Sequence, residues 1–193
     1  MLLTPAKWPE FFMQLCLFSF SFYHQLITAM SLQQALVTEM EQEAIKTRKM
    51  LLRVPQEQYS WKPHEKSMTI GRLASHIAEL PVWVNRSLEA PIFNFASLPA
   101  VRNTYPTTEA LLMVFDERLS AAISLLQQAN DEVLSQPISV LRGEQTLFTL
   151  PRKMLIRNFA MNHLVHHRGQ LSVFLRLLDV PVPGMYGPSA DEQ

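Results

Sequence analysis

The sequence is poor in cysteine, and this limits how the chain can bind a metal ion. Cys16 is the single cysteine among 193 residues, which excludes an intramolecular disulfide framework and every zinc motif built from several cysteines. Any metal ion must therefore be held by nitrogen and oxygen ligands. Secreted proteins of this size often carry paired cysteines, so their absence predicts a cytoplasmic location.

The sequence also lacks an excess of charge of either sign. Seventeen lysine and arginine residues balance seventeen aspartate and glutamate residues. Proteins that bind nucleic acid normally present a basic face to the phosphates, whereas the basic pairs Arg48-Lys49 and Arg152-Lys153 are isolated along this chain. We therefore expect no nucleic-acid partner.

Glycine is scarce as well. The five glycines and thirteen prolines are typical of long helices joined by stiff connections, and fit a sheet-rich fold less well. The length suits one domain. With 48% hydrophobic residues, the chain can bury a core without disulfides.

A hydrophobic run long enough to span a membrane is missing. The longest apolar run covers residues 11–22, and a membrane-spanning helix needs about 20 residues. The run has the length of the apolar part of a signal peptide, with Lys7 before it, but Ile27-Thr28-Ala29 is a poor cleavage site. We therefore expect no membrane partner.

The first 29 residues allow three interpretations. We favour a start of translation at Met30, because Ser31 is a good N-cap for the helix that follows at once. Residues 1–29 are then an N-terminal extension, and residues 30–193 are the domain. A signal or anchor segment and a genuine additional helix are the two alternatives.

Four segments show hydrophobic residues at helical spacing. We predict helix 1 over about 31–54, helix 2 from Ser67 or Thr69 to about Leu88, helix 3 from Thr107 or Thr108 through Ala129, and helix 4 over about 151–178. The inward stripe of helix 1 consists of Leu36, Met40, Ala44, Thr47, Leu51 and Val54. Pro81 lies inside the helix 2 pattern and predicts a kink, since the apolar spacing continues past it.

The connections complete the predicted fold. Residues 90–106 contain three prolines and no hydrophobic period, so we predict a long crossover between helices 2 and 3. Residues 138–140 and 147–149 are β-prone and flank Arg142-Gly143-Glu144, which predicts a small hairpin before helix 4. The predicted fold class is all-α, a four-helix bundle with this crossover and this hairpin.

Histidines lie on the predicted inward faces of two helices. At about 100° per residue, the residues of helix 4 within about 60° of His163 are Ile156, Phe159, Ala160, His167, Gln170, Phe174 and Leu178. His166 lies at the edge of this stripe, and Arg168 points to the opposite side. On helix 2, His76 lies beside Leu73, Ile77 and Leu80.

This arrangement predicts a metal site. His163 and His167 are one helical turn apart, so both ring nitrogens can reach one ion at about 2.0–2.1 Å. His76 is the natural third ligand, because it is centred on a buried stripe of another helix. Three imidazoles suit zinc, nickel, copper or iron. Three protein ligands also leave positions open, as catalytic metal sites do.

The residues alone leave alternatives open. A buried histidine is more often a core residue than a ligand, and His163, His166 and His167 allow other pairings. Glu79 is the candidate catalytic residue. Three roles are open to it: a fourth metal ligand, a general base, or a hydrogen-bond partner of an imidazole. We favour the last. Three aromatic residues are candidates for a pocket wall or for core positions: Tyr59, Trp61 and Trp83.

Several stretches resemble the DinB family of damage-inducible bundle proteins, which is unrelated to the DNA polymerase of that name. They are WKPHEKSM (61–68), LASHIAE (73–79), NHLVHHRGQL (162–171) and the tail PVPGMYGPS (181–189). The resemblance runs over about residues 31–192 and omits the extension.

The resemblance implies a bundle, often dimeric, with nickel or zinc on His76, His163 and His167. Some similar proteins replace one ligand by a carboxylate, whereas this chain keeps all three histidines. Characterised members include a maleylpyruvate isomerase that uses mycothiol and transferases that act with bacillithiol or glutathione. The helices also carry more apolar edge residues than one stripe requires, so we expect a homodimer.

Together these observations predict a metal-dependent enzyme that acts on a small-molecule substrate. We predict a transferase for a low-molecular-weight thiol, whose pKa a bound cation would lower, so that the nucleophile arrives with the cosubstrate. The alternatives are a metal-dependent hydrolase, which would use the same open position for water, and a metal-binding bundle without catalysis.

Overall fold

A computed structural model of the protein describes residues 30–99 and 103–192. The predicted extension, residues 1–29, lies outside the described residues. The interpretations of its apolar run and of a start at Met30 therefore stay predictions.

The described part of the chain is mostly helical. Its α-helices are α1 (Leu32–Leu51), α2 (Ile70–Glu79), α3 (Val82–Leu88), α4 (Thr108–Gln128), α5 (Asp131–Ser135), α6 (Arg152–Leu155) and α7 (His163–Leu177). A π-helical segment, Ile156–Asn162, joins α6 to α7. Over residues 30–99 and 103–192, no helix is both long and apolar enough to cross a bilayer.

Helices α2 and α4 begin where local capping chemistry predicts. The Thr69 side chain accepts a hydrogen bond from Arg72 N at the start of α2, and the Thr107 side chain accepts one from Ala110 N at the start of α4. Each bond satisfies one of the backbone N–H groups that a helix start leaves without a partner. All six residues of the predicted helix 1 stripe are buried, which confirms its inward face.

The predicted helix 2 is divided at Pro81 into two separate helices, whereas the sequence predicted a kink within one helix. Helix α2 ends at Glu79, and α3 begins at Val82. Tight turns with i→i−3 bonds bridge the break, since Leu80 N bonds to Ile77 O and Val84 N bonds to Pro81 O. Proline lacks an N–H and crowds the preceding turn, so the α-helical ladder stops here.

A small sheet makes the predicted all-α class too narrow. The predicted hairpin is confirmed, with β2 (Pro137–Arg142) antiparallel to β3 (Gln145–Pro151) and Gly143 at φ +63° in the turn, where glycine carries no steric cost. The crossover, predicted without regular structure, contains β1 (Ile92–Asn94), which pairs parallel to β2. A strand of three residues is too short to show a hydrophobic period.

The buried stripe of the last helix differs from the predicted one. Gln170 is exposed, and Phe174 and Leu178 are only partly buried. The buried positions along α7 are Leu164, His167, Arg168, Leu171 and Leu175, so the core-facing stripe lies beside His163 rather than centred on it. The predicted stripe included Ile156, Phe159 and Ala160 at a uniform 100° per residue, but these residues lie in the π-helical segment, which turns by a smaller angle per residue.

One hydrophobic core joins the helices and the sheet. Helix α4 packs against α1, α2 and α3, while α7 packs against α1 and α2. Phe115 of α4, Leu36 of α1 and Ile138 of β2 are among the largest fully buried side chains. Burying a side chain of this size contributes about 1.5–3 kcal/mol. This core sets the positions of α2 and α7, the helices that carry the candidate ligands.

Candidate metal centre

The three predicted ligands lie together. His76 of α2 and His163 and His167 of α7 present ring nitrogens that all lie within 4.8 Å of one another. His163 Nε2 is 2.8 Å from His167 Nε2 and 3.4 Å from His76 Nε2. Two nitrogens bound to one ion at about 2.1 Å would be roughly 3.0–3.4 Å apart at bond angles of 90–109°. The observed separations are close to that range.

A hydrogen bond on the far side of the His167 ring determines which of its nitrogens carries the proton. His167 Nδ1 lies 2.7 Å from Gln170 Oε1, and an amide oxygen only accepts, so Nδ1 is the donor. In the neutral His167 ring, Nε2 is therefore left as an acceptor, 2.8 Å from His163 Nε2.

The two Nε2 atoms are close enough that a cation bound between them could accept a lone pair from each. Burial is the main cause that lowers the pKa of His163 and of His167. The neighbouring His167 adds to the lowering for His163, and His166 and Arg72 add to it for His167. The neutral imidazole is the form that binds a metal ion. The donor set therefore fits a divalent metal ion better than it fits a proton.

His166 is not part of this cluster. Its side chain is exposed, although its ring centroid lies 4.9 Å from that of His167. Among the described residues, the cluster of ligand atoms contains His76, His163 and His167, and no carboxylate. The pairings that the sequence left open are thus reduced by geometry to one.

A cavity of about 460 Å³ opens beside the cluster. His76 and His163 contribute to its lining, together with Glu79 and the aromatic residues Trp83 and Phe159. This volume lies in the range typical of small-molecule sites. A molecule in the cavity can therefore reach an ion held by the histidines.

Glu79 lines the cavity and is held by polar neighbours. Its Oε1 accepts hydrogen bonds from Asn103 Nδ2 and from the Tyr105 hydroxyl, each at 3.2 Å. Its Oε2 is 4.0 Å from Arg72 Nη1. Burial raises the pKa of Tyr105, and the charge of Glu79 adds to this rise. The catalytic role of Glu79 stays a prediction.

The three aromatic candidates divide between the cavity and the core. Trp83 lines the cavity. Trp61 packs edge-on against Phe174 at a centroid distance of 5.7 Å. Tyr59 packs so closely over Gly71 that a Cβ added to Gly71 would lie 2.9 Å from the Cβ of Tyr59. The last two therefore contribute to packing.

Sequence reasoning missed four residues of the site. Gln170 orients His167, and Arg72, Arg86 and Arg118 line the cavity. Arg72 precedes His76 by one helical turn, and Gln170 follows His167 by three residues, so helical spacing could have indicated both. Arg118 belongs to another helix, and no local pattern connects it to the histidines.

Similar proteins are found in Bacillus. Over 156 residues the chain is 27% identical to YrdA of Bacillus subtilis (strain 168), and the alignment covers 79% of this chain and 86% of YrdA. Over 131 residues it is 27% identical to YjoA of the same strain, and this alignment covers 67% of this chain and 80% of YjoA.

Two solved structures share the fold. A DinB-like protein from Bacillus cereus ATCC 10987 has a TM-score of 0.61 at 22% identity, covering 81% of this chain and 99% of that one. The DinB-like protein YjoA from Bacillus subtilis has a TM-score of 0.60 at 21% identity, covering 82% of this chain and 99% of that one. At these identities the likeness concerns the fold alone.

The model of the DinB family matches residues 29–193. This range includes every helix and strand described above and all three clustered histidines. The match begins one residue before Met30, close to the predicted domain boundary. The chain belongs to the DinB family.

Proposed function

We propose that the protein is a metal-dependent enzyme whose divalent ion, zinc or nickel, is held by His76, His163 and His167. The observation that carries this proposal is the convergence of ring nitrogens from the three histidines, which all lie within 4.8 Å of one another. Three neutral imidazoles are a ligand set that suits both metals. Family membership supports the assignment.

We further propose that the reaction is transfer of a low-molecular-weight thiol to an electrophilic small molecule. A bound ion with open positions lowers the pKa of a thiol or of a water placed on it. His76 and His163 direct the reacting molecule to the cavity, and Trp83 and Phe159 exclude water from one wall. Glu79, already an acceptor for Tyr105, is the nearby group that can take up a released proton.

Hydrolysis is the second candidate. The same cavity would admit water, and the Glu79 carboxylate would then act as its general base. A metal-binding bundle without catalysis would require a closed site. The cavity beside His76 and His163 favours either enzyme over such a bundle.

We also propose a finer architecture and assembly. Helix α1, the α2–α3 pair, α4 and the α6–α7 rod are proposed as the four members of a four-helix bundle, and their mutual packing supports this. We propose a homodimer, supported by Val173 and Leu177, which are 57% and 59% exposed one turn apart on α7. Cytoplasmic location and a domain boundary at Met30 stay predictions.

Metal content tests the ligand assignment. The full chain is purified without a histidine tag, and its metal is measured by mass spectrometry. We expect about one ion per chain in the unmodified protein and in the control His166→Ala. We expect little metal in His76→Ala, His163→Ala and His167→Ala, because the two remaining ligands hold an ion weakly. Loss of metal from His166→Ala, with retention in His163→Ala, would overturn the assignment.

Thiol binding tests the reaction class. Mycothiol, bacillithiol and glutathione are added in turn to nickel-loaded protein, and a sulfur-to-nickel charge-transfer band is sought in the absorption spectrum. One of the three is expected to produce the band, and His163→Ala should abolish it. Absence of the band with all three thiols, together with metal-dependent ester hydrolysis, would favour the hydrolase.

A further inference from the structure

We propose that the cavity beside the three histidines binds a small molecule that joins an anionic group, a carboxylate or a phosphate, to an apolar body. The inference deepens the proposed function, because it assigns a substrate class to the same site. It depends on the side chains that line the cavity beyond the histidines, and its test measures binding rather than turnover.

The charge of the lining favours an anion. Three arginines line the cavity, Arg72 from α2, Arg86 from α3 and Arg118 from α4, against a single carboxylate, that of Glu79. The carboxylate already accepts hydrogen bonds from Asn103 and Tyr105. Guanidinium groups bind carboxylates and phosphates through parallel N–H donors. A cationic ligand would meet three positive charges against the one negative charge of Glu79 in the same space.

Arg86 is held in place by aromatic rings. Its guanidinium carbon lies 4.9 Å from the centroid of the Trp83 ring and 5.3 Å from that of Phe93. Stacking occupies the face of a guanidinium, whereas anions bind along its edge. A side chain oriented before binding loses less conformational freedom when the ligand arrives. Arg86 is therefore the arginine we expect to contribute most.

The remaining wall suits an apolar body. Trp83 packs against Phe159 at a centroid distance of 5.0 Å and against Phe95 at 5.8 Å, and all three rings line the cavity. A planar or ring-shaped group can pack on such a wall by offset or edge contacts. Because His76 and His163 lie in the same lining, the apolar body would extend from the arginines toward the histidines.

The first experiment needs no variant. Titration calorimetry compares benzoate, phenyl phosphate, benzamide and benzylamine, four probes that share a ring and differ in charge. Each is added to metal-loaded full-length protein and to chelator-treated protein, since chelation removes direct binding of an anion to the ion. We expect one of the anions to bind at least about tenfold more tightly than benzamide in both forms. Benzamide binding as tightly as both anions in the chelated protein would overturn the proposal.

The two anionic probes also separate the sources of charge. A preference for benzoate identifies a carboxylate ligand, and a preference for phenyl phosphate identifies a phosphate ligand. Should chelation unfold the chain, as circular dichroism would reveal, the comparison between substituted and unmodified proteins in their metal-loaded forms decides the proposal instead.

The second experiment replaces two of the three cavity arginines, one at a time. Arg86→Met and Arg118→Met keep much of the side-chain length and remove the charge, and Arg53→Met is the control, because Arg53 is exposed after α1 and outside the cavity lining. Each cavity variant should bind the preferred anion at least roughly tenfold more weakly, the effect expected for losing one charged hydrogen-bond donor, and Arg86→Met should show the larger loss. Benzamide affinity and metal content should stay unchanged. Unaltered anion binding in both cavity variants would overturn the proposal.

The two proposals can fail separately. Anion selectivity in a chain that binds no metal would refute the metal-dependent enzyme and keep the anion site. A stoichiometric ion with no preference for anions would keep the metal centre and refute the anion site.

Discussion

His167 and Arg168 are neighbours on α7, but the helix directs their side chains into two different environments. Arg168 is 2% exposed. Its Nη2 pairs with the Glu43 carboxylate, and its Nη1 donates to Thr47 Oγ1 and to Glu43 O, both at 3.0 Å. The Tyr186 hydroxyl also donates to Glu43 Oε2 at 2.7 Å. On this side, residues of the same chain balance the buried charge.

The histidine side is built in the opposite way. His167 uses its Nδ1 for Gln170, while its Nε2 converges with the Nε2 of His163, 2.8 Å away. Buried polar atoms are nearly always hydrogen-bonded within a protein. The comparison teaches that a buried charge balanced within the chain contributes to the fold, whereas converging imidazole nitrogens form a place that a cation from outside could occupy.

The largest expected effect is on the Arg168 side. Arg168→Met leaves the partly buried carboxylate of Glu43 with Lys46 as its remaining counter-charge. Removing one partner of a buried ion pair costs about 3–5 kcal/mol, and we expect a loss near the lower end of this range. Urea unfolding measures the loss. The control is Arg48→Met. Arg48 pairs with Asp116 at the surface, where the two side chains are 46% and 45% exposed. This pair should contribute less than about 1 kcal/mol to the free energy of unfolding. Metal content should be unchanged, and a loss of metal without a loss of stability would contradict the comparison.

Removing the metal should affect stability next most strongly. An ion bound by the folded state alone stabilises it by about 2.7 kcal/mol when free metal is at 100 times its Kd. Chelator should therefore lower the melting temperature of the unmodified protein. It should leave that of His163→Ala unchanged, since this variant holds little metal. An equal shift in both proteins would show that the chelator acts elsewhere.

Gln170 offers a smaller and sharper test of the histidine side. Gln170→Ala removes the acceptor that holds the His167 Nδ1 proton, and losing such a partner lowers metal affinity about 10- to 100-fold. Gln170→Glu keeps an acceptor oxygen and should retain the affinity. Competition with a chromogenic chelator measures both. Equal affinities for Gln170→Ala and the unmodified protein would show that Gln170 does not orient the ligand.

Acid should weaken the Arg168 side by the smallest amount. Burial acts to raise the pKa of Glu43, but hydrogen bonds from Lys46, Tyr186 and Arg168 outweigh it and lower the pKa from about 4.5. Because the unfolded carboxyl then binds its proton first, the pair stabilises the fold above about pH 4.5, and this stability is lost as the pH falls through the folded pKa.

The melting temperatures of chelated protein and of chelated Glu43→Gln measure this effect between pH 6 and pH 3. The difference between them should shrink in acid, and the histidines, present in both, cancel from the comparison. A difference that stays constant over this range would contradict the lowered pKa. Asp116→Asn, in the exposed pair with Arg48, is the matched control.

The helices and their caps could be predicted because their causes are local. The stripe of helix 1 repeats every three or four residues and is buried throughout, and Thr69 and Thr107 cap helices through residues only three positions away. The predicted face of helix 4 was wrong by about one residue, because nothing in its periodicity indicates the π-helical segment Ile156–Asn162. Strand β1 was missed because its partner, β2, lies far along the chain.

The sequence by itself determined the pairing of His163 with His167, because one turn of helix brings side chains four residues apart together. Only the tertiary structure decided that His76, 87 residues before His163, joins them, since packing of α2 against α7 sets that distance. It also decided that Arg72, Arg86 and Arg118 surround one cavity and that Arg168 is buried against Glu43. Local periodicity indicates which way a side chain points along its own helix, but long-range packing determines what it meets there.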